Sequence, residues 1–179
     1  MELRDRQRRF DAVYLEYRQG LHAYFLGRTS DPEQALDLLQ ECFLRVWRGQ
    51  ASLEALPPER RRFWLFSVAR NLVVDHHRRR AAGQAAQAAV DTDARVTQQW
   101  ADPPEHALVE QEDLRELDRA IRRLPDDLRV ALVLQVVGGQ TSAEIGEGLG
   151  QPPGTVRYHL AQARRRLADE LRRARAVNV

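Results

Sequence analysis

The stretch from Leu124 to Leu171 constrains this chain more than any other, because its punctuation permits little except two helices meeting at a tight turn. Thr141-Ser142-Ala143-Glu144-Ile145-Gly146-Glu147-Gly148-Leu149 reads as a short helix that stops at Gly150. Ser142 is the expected cap, and the carboxylate of Glu144 is favourable in the first turn. Gly150 suits the left-handed residue that closes a helix, and Pro152 and Pro153 are tolerated only in a turn or a first helical turn. Beyond Gly154, the residues Val156, Leu160, Ala163, Leu167 and Leu171 recur at spacings of four, three, four and four, one apolar stripe on a 3.6-residue period. The opposite face shows Arg157, Tyr158, His159, Gln162, Arg165 and Arg166. Between Arg157 and Arg175 there are seven Arg against Asp169 and Glu170. Arg-rich helices are often no more than solvated faces. Here the turn grammar sets a basic helix proud of a short partner helix, which is a helix-turn-helix with nucleic acid as its expected partner.

The rest of the chain also carries helical periods, and no strand is expected. Phe10, Val13, Tyr14, Tyr17, Leu21, Tyr24 and Phe25 fall at helical spacing, with Gly20 a mild weakness. Asp31 followed by Pro32 is a helix start, and Ala35, Leu38, Leu39, Cys42, Phe43, Val46 and Trp47 form the cleanest amphipathic pattern in the sequence. Gly49 to Glu59, with Pro57-Pro58, reads as a loop. A third helix, from about Arg60 to Arg80, buries Leu65, Val68, Ala69, Leu72 and Val73, so residues 1–80 make a compact three-helix-type bundle. Residues 81–104 lose the amphipathic period and read as a flexible linker, in which Trp100 is the one large apolar residue. Residues 105–179 form the second module: a helix burying Leu114, Leu117, Ile121 and Leu124, another after Pro125 that includes Leu128, Ala131, Leu132 and Val136, and then the helix-turn-helix. The fold class is therefore all-α, two small helical domains joined by a linker.

Charge follows the same division. The net charge of +2 conceals two basic modules, each +4, flanking an acidic connector of −6 over residues 81–113. Two separate contacts with a polyanion are the natural use of that pattern. No apolar run is long enough for a membrane span and no apolar leader follows the charged residues Met1 to Arg9, so no membrane insertion and a cytoplasmic location are expected. The single cysteine, Cys42, excludes an internal disulfide and a cysteine-based zinc site, and its place on the buried stripe makes it a small hydrophobe. His76 and His77 point about 100° apart on a helix and lack a spaced partner, so neither a metal site nor a cofactor is expected. Without a Gly-rich phosphate loop, clustered carboxylates or a nucleophile–base set, an enzyme is not expected either.

Three motifs together carry a resemblance. Asp37-Leu38-Leu39-Gln40-Glu41-Cys42-Phe43-Leu44-Arg45-Val46-Trp47 resembles the DLxQExFxxxW signature of bacterial sigma factors. The run from Phe63 to Arg80, FWLFSVARNLVVDHHRRR, is similar to the WLFxIARNxxxDxxRRR helix of that family. Leu124-Pro125, Gly154-Thr155-Val156-Arg157 and Ala163-Arg164-Arg165-Arg166-Leu167 resemble its C-terminal module. With only a linker between them, the two modules resemble the extracytoplasmic-function (ECF) group. The resemblance implies a factor that binds core RNA polymerase, directs it to promoter DNA and helps to open the duplex. Residues 1–80 would be sigma region two, serving polymerase binding, recognition of the element near position −10 and melting. Residues 105–179 would be region four, reading the element near −35. An anti-sigma factor is a further partner implied by resemblance alone.

The side chains can be assigned to these contacts. On the outer face of the Asp31–Arg48 helix stand Asp37, Gln40, Glu41, Leu44, Arg45 and Arg48. Solvent alone would explain most of that face, and the family places the polymerase contact there. In the Arg60–Arg80 helix, Trp64, Ser67, Asn71 and Arg78 share one surface, and Arg61, Arg62 and Arg79 can hold phosphates at its ends. Unstacked bases rest on aromatic faces at roughly 1–3 kcal/mol per base, and Asn71 offers both a donor and an acceptor to a base edge. The plainer alternative is that Trp64 is core and the Arg runs are solvated. In the second module, Thr155, Arg157, Tyr158, His159, Gln162, Arg165 and Arg166 face the −35 element, with Arg157 the best reader of guanine. Tyr158, His159, Gln162 and the turn Gln151-Pro152-Pro153 depart from the family's usual residues, so no relative's promoter sequence transfers. A free-standing helix-turn-helix regulator is the main alternative function, but it leaves the Asp37–Trp47 signature without a role.

Overall fold

The computed structural model describes residues 2–87 and 105–177, with side chains over 3–82 and 114–174. Among the described residues the chain is helix and connecting turn throughout: α1 Glu2–Thr29, α2 Pro32–Arg48, α3 Gln50–Glu54, α4 Pro58–Gln87, α5 Glu105–Arg122, α6 Asp126–Val136, α7 Ser142–Leu149 and α8 Pro153–Val177. Helix α1 ends at Ser30, which takes φ +56. The next helix is started by Asp31, whose Oδ1 accepts from the backbone N–H of Glu33 (3.0 Å) and Gln34 (3.2 Å), with Pro32 in the first turn. The face expected from the α2 periodicity is the one buried: Ala35, Leu38, Cys42, Phe43 and Val46. It packs with Tyr17, Leu21, Tyr24 and Phe25 of α1 and Leu65, Phe66, Ala69, Leu72 and Val73 of α4. Each large side chain so enclosed contributes roughly 1.5–3 kcal/mol.

Three local expectations differ from the structure. The loop read over Gly49 to Glu59 contains α3, whose Leu53 is buried and whose buried Gln50 amide donates to the Arg6 carbonyl (3.0 Å) and to Glu54 (2.7 Å). Helix α4 continues to Gln87, seven residues into the stretch read as linker; Trp100 and the rest of 88–104 lie outside the described residues. Of the four residues expected to be buried beside α5, only Leu124 is, while Leu114 and Leu117 are exposed. The reason is that α5 packs chiefly on α8, and the apolar side chains of Leu114 and Leu117 point away from that contact.

Helix α6 is apolar all round, and buried residues run unbroken from Leu128 to Leu134. A helix of that kind needs partners on both sides. One side, Leu128 and Leu132, meets Ala163 and Leu167 of α8. The other, with Val130, Val133 and Leu134, joins the cluster built by α1, α2 and α4. Helix α7 likewise rests on α4. The two basic modules therefore share one continuous core, reaching from Tyr17 of α1 to Leu160 of α8.

Candidate nucleic-acid interface

Helix α7 begins one residue earlier than its sequence suggests: Thr141, not Ser142, is the cap. The Thr141 hydroxyl accepts from the Glu144 N–H (3.3 Å), and the Glu144 carboxylate accepts in return from the Thr141 N–H (2.9 Å) and hydroxyl (2.9 Å), a closed capping box. Those hydrogen bonds, the backbone one foremost, hold the Glu144 carboxyl below its ordinary pKa, with Arg62 adding a smaller push. Gly150 takes φ +68 and closes the helix, as its position suggests. A Cβ at Gly146 would stand 2.5 Å from the Gln151 carbonyl oxygen, so the turn can approach α7 this closely only over glycine. Pro153 opens α8, and Val156, Leu160 and Ala163 are buried beneath it.

The recognition face thus stands clear of its own module. Arg157, Tyr158, Arg165 and Arg166 are exposed, and Thr155, His159 and Gln162 are half-exposed. Among the described residues, Arg157, Arg165 and Arg166 have no intramolecular hydrogen bond or ion pair, whereas the neighbouring Arg164 is held by Gln135 at 2.6 Å. Three guanidinium groups without internal partners, spread over the exposed side of α8, suit phosphate and base-edge contacts.

On α4 the structure sorts the expected residues. Asn71 and Arg78 are exposed, and Ser67 is half-exposed with its hydroxyl turned back to the Phe63 carbonyl (2.8 Å). Trp64 is half-buried, packed against the core beside Gly49, so it supports the fold while part of the side chain stays open. Residues 64, 67, 71 and 78 share a face; the remaining three do not join it. Arg61 donates to the Leu56 carbonyl (3.3 Å), Arg79 approaches Glu41 (3.8 Å), and Arg62 turns toward α7. There Arg62 pairs with Glu144 (3.3 Å) and Glu147 (3.5 Å) and lies over the Tyr17 ring at 5.5 Å.

The outer face of α2 divides in the same way. Asp37, Gln40, Leu44 and Arg48 are exposed. Glu41 and Arg45 are paired with each other (2.8 Å), and Arg45 also reaches Asp75 of α4 (3.6 Å), so these two brace α2 on α4. Beside them lies an apolar groove of about 510 Å³ lined by Phe10, Tyr14, Leu39, Phe43, Leu44 and Trp47. Sequence reading placed Phe10 and Tyr14 at helical spacing with the other apolar residues of α1 and missed the groove; the exposed Leu44 of α2 was the available signal. Cys42 is fully buried, and desolvation pushes its thiol up to about 12, which suits packing rather than reactivity. His76 faces Gln34 at 2.9 Å, and burial, with the nearby His77, Arg80 and Arg79, lowers its pKa. Among the described residues no group of three or more His, Cys, Asp or Glu could hold a metal ion, and no helix is long and apolar enough to cross a membrane.

Comparison with known proteins agrees with this architecture. Residues 13–83 match the family described as Sigma-70 region 2, and residues 114–167 the one described as Sigma-70, region 4. The ECF RNA polymerase sigma factor SigL of Mycobacterium tuberculosis is 32% identical, over 87% of this chain and 85% of that protein. A probable RNA polymerase sigma factor, RfaY of Xanthomonas campestris, is 33% identical over 83% of this chain but only 37% of its own length. The sigma factor RpoE from Bartonella quintana, solved in complex with the anti-sigma factor NepR, has the same fold at 22% identity, with a TM-score of 0.61 over 91% of this chain and 96% of that one. The free-standing regulator is not favoured, because both sigma regions are present in their family order. The chain belongs to the ECF group of RNA polymerase sigma factors, initiation factors that direct core polymerase to promoters.

Proposed function

We propose that residues 1–80 bind core polymerase and engage the promoter near −10, that residues 81–104 link, and that residues 105–179 read the element near −35. The observation that carries this reading is the set of guanidinium groups without a partner among the described residues, Arg157, Arg165 and Arg166, on the exposed side of a helix-turn-helix whose turn is fixed by glycine. Arg157, with Thr155, Tyr158, His159 and Gln162 beside it, takes base edges, and Arg165 and Arg166 take phosphates. On α4, Asn71 and the open part of Trp64 receive unstacked bases, Ser67 lines the same face, and Arg61, Arg62, Arg78 and Arg79 hold the backbone. The exposed part of the α2 face, Asp37, Gln40, Leu44 and Arg48, with the adjoining apolar groove, meets polymerase. Glu41 and Arg45 keep that face in position through α4. The protein is a binding factor without catalytic chemistry of its own and works in the cytoplasm, where polymerase and DNA meet. An anti-sigma factor restrains it, a reading supported by the complex of its structural relative.

Transcription in vitro tests this. Core polymerase is supplied with sheared genomic DNA of the source organism, with and without this protein, and new 5′ ends are mapped. Discrete starts sharing two upstream elements are the expected result. Absence of both new starts and polymerase binding would overturn the proposal.

A further inference from the structure

The first turns of α1 are tied to the corner between α2 and α3 through a buried amide that contact with neither DNA nor polymerase explains. Gln50 opens α3 and, at 3% exposure, is the most enclosed polar residue among those described. An amide is enclosed without penalty only when its donors and its acceptor are engaged, and all of them are. Its Nε2 donates to the Arg6 carbonyl (3.0 Å) and to Glu54 (2.7 Å), and its Oε1 accepts from Arg6 Nε (3.3 Å). The Arg6 guanidinium donates in addition to the Trp47 carbonyl (2.7 Å) and lies over the Trp47 ring at 4.4 Å. One turn further along α1, Arg9 reaches the same Glu54 carboxylate (2.9 Å). Arg6 and Gln50 thus form a latch, with Glu54 and Arg9 at its outer end.

The corner held by this latch is the seat of Trp64. Gly49 joins α2 to α3, and a Cβ there would stand 3.5 Å from Trp64 Cη2 and 3.6 Å from Trp64 Cζ2. The indole therefore rests on backbone lying between Trp47 and Gln50, the two residues that Arg6 grips. The far end of α3 also meets α4, where Arg61 donates to the Leu56 carbonyl (3.3 Å). Leu53, buried in the core, anchors α3 between these two ends. A ring that receives a base must be held at a fixed height and tilt, so movement of its seat is felt by the base. Truncating one partner of a buried hydrogen-bonded pair leaves the other unsatisfied, so the corner shifts when either Arg6 or Gln50 is altered.

We propose that Arg6 and Gln50 are positioning residues for strand opening: by fixing the corner at residues 47–50 against α1, they set where the Trp64 ring meets an unstacked base. This rests on the reading of Trp64 as a base-receiving side chain. Gln50→Leu keeps the bulk and removes every hydrogen bond of the amide. Arg6→Lys keeps the charge but loses the fork that joins Gln50 to the Trp47 carbonyl. Each is made in the full-length chain, alone and with Trp64→Ala, and assembled with core polymerase. Transcription from a duplex promoter mapped as above is divided by transcription from the same promoter pre-melted, a ratio that cancels loss of folded protein or of polymerase binding. Asp31→Ala removes the cap at the opposite end of α2, controls for lost stability alone and should leave the ratio unchanged. Gln50→Leu and Arg6→Lys should each lower the ratio about tenfold with Trp64 present and less than about twofold in its absence, the non-additivity of residues that act through one another. An equal fall with and without Trp64 would overturn the proposal. A wild-type ratio in either latch variant, while Trp64→Ala lowers it, would overturn the latch and leave the reading of Trp64 standing. A wild-type ratio in Trp64→Ala itself would overturn that reading and the latch with it.

Discussion

At the scale of single residues, what separates the functional side chains from their neighbours is whether they are already engaged. Arg164, Arg165 and Arg166 are a run of identical side chains, yet Gln135 restrains the first, and the other two have no partner among the described residues. Arg157→Ala is therefore expected to relax preference at one upstream base pair, a discrimination of about 1–3 kcal/mol. Arg165→Ala should weaken binding about equally on all promoters and lower the salt slope by about one. Polymerase-dependent binding to a panel of mapped promoters at several salt concentrations checks both; identical behaviour of the two variants would erase the distinction between base and phosphate contacts. The same criterion changes the choice of residue for testing strand opening. Because Trp64 packs on the core, Trp64→Ala would mix loss of stability with loss of opening. Asn71 is exposed, so Asn71→Ala should leave thermal stability within about 0.5 kcal/mol of wild type. It should impair transcription from duplex promoters and spare a pre-melted template. Equal loss on both templates would show that Asn71 does not serve opening.

At the scale of elements, legibility followed the balance between local and tertiary causes. The α2 stripe and the Asp31 cap were readable because periodicity and capping chemistry act within a few residues. The α7 start was misplaced by one residue because Thr141 and Ser142 are both competent caps, and only Thr141 stands three residues before Glu144 to close the box. Leu114 and Leu117 were misread because amphipathic spacing says which face is apolar, not whether another helix covers it. The capping box supports a prediction at this scale. Thr141→Ala should lower stability by about 1 kcal/mol. The Glu144 carboxyl has a lower pKa folded than unfolded, so its contribution is complete above the ordinary carboxylate range and is lost as pH falls through the lowered folded value. Glu144→Gln should therefore destabilise the protein near pH 7, and the gap from wild type should shrink as the medium becomes more acidic. Denaturant unfolding at neutral and acid pH measures it, and a gap independent of pH would remove the carboxylate from the account.

At the scale of the whole molecule, sequence reading separated two modules correctly in order and composition but gave no hint that they share a core. The clue was present in α6, where Leu128, Val130 to Leu134, Val136 and Val137 leave almost no polar face for a surface helix. Periodicity searches register one stripe and discard the rest, and the α1 glycines read as weaknesses until their partner is in place. A shared core has a thermodynamic consequence, because domains melt independently only when few contacts join them. The seam between the two modules buries Val130 and Leu134 in the cluster of the first module and ties Arg129 to Gly27. The wild-type chain should accordingly unfold in a single calorimetric transition, with van't Hoff and calorimetric enthalpies in agreement. Gly27→Leu places a side chain against Val130 and Val133, whose atoms are the nearest to a Cβ at that position, so its clash is felt across the seam. It should split the transition into two without loss of helix content at low temperature. Two transitions in the wild type would mean that the modules are energetically independent, and a single sharp transition in Gly27→Leu would mean that the seam yields without parting.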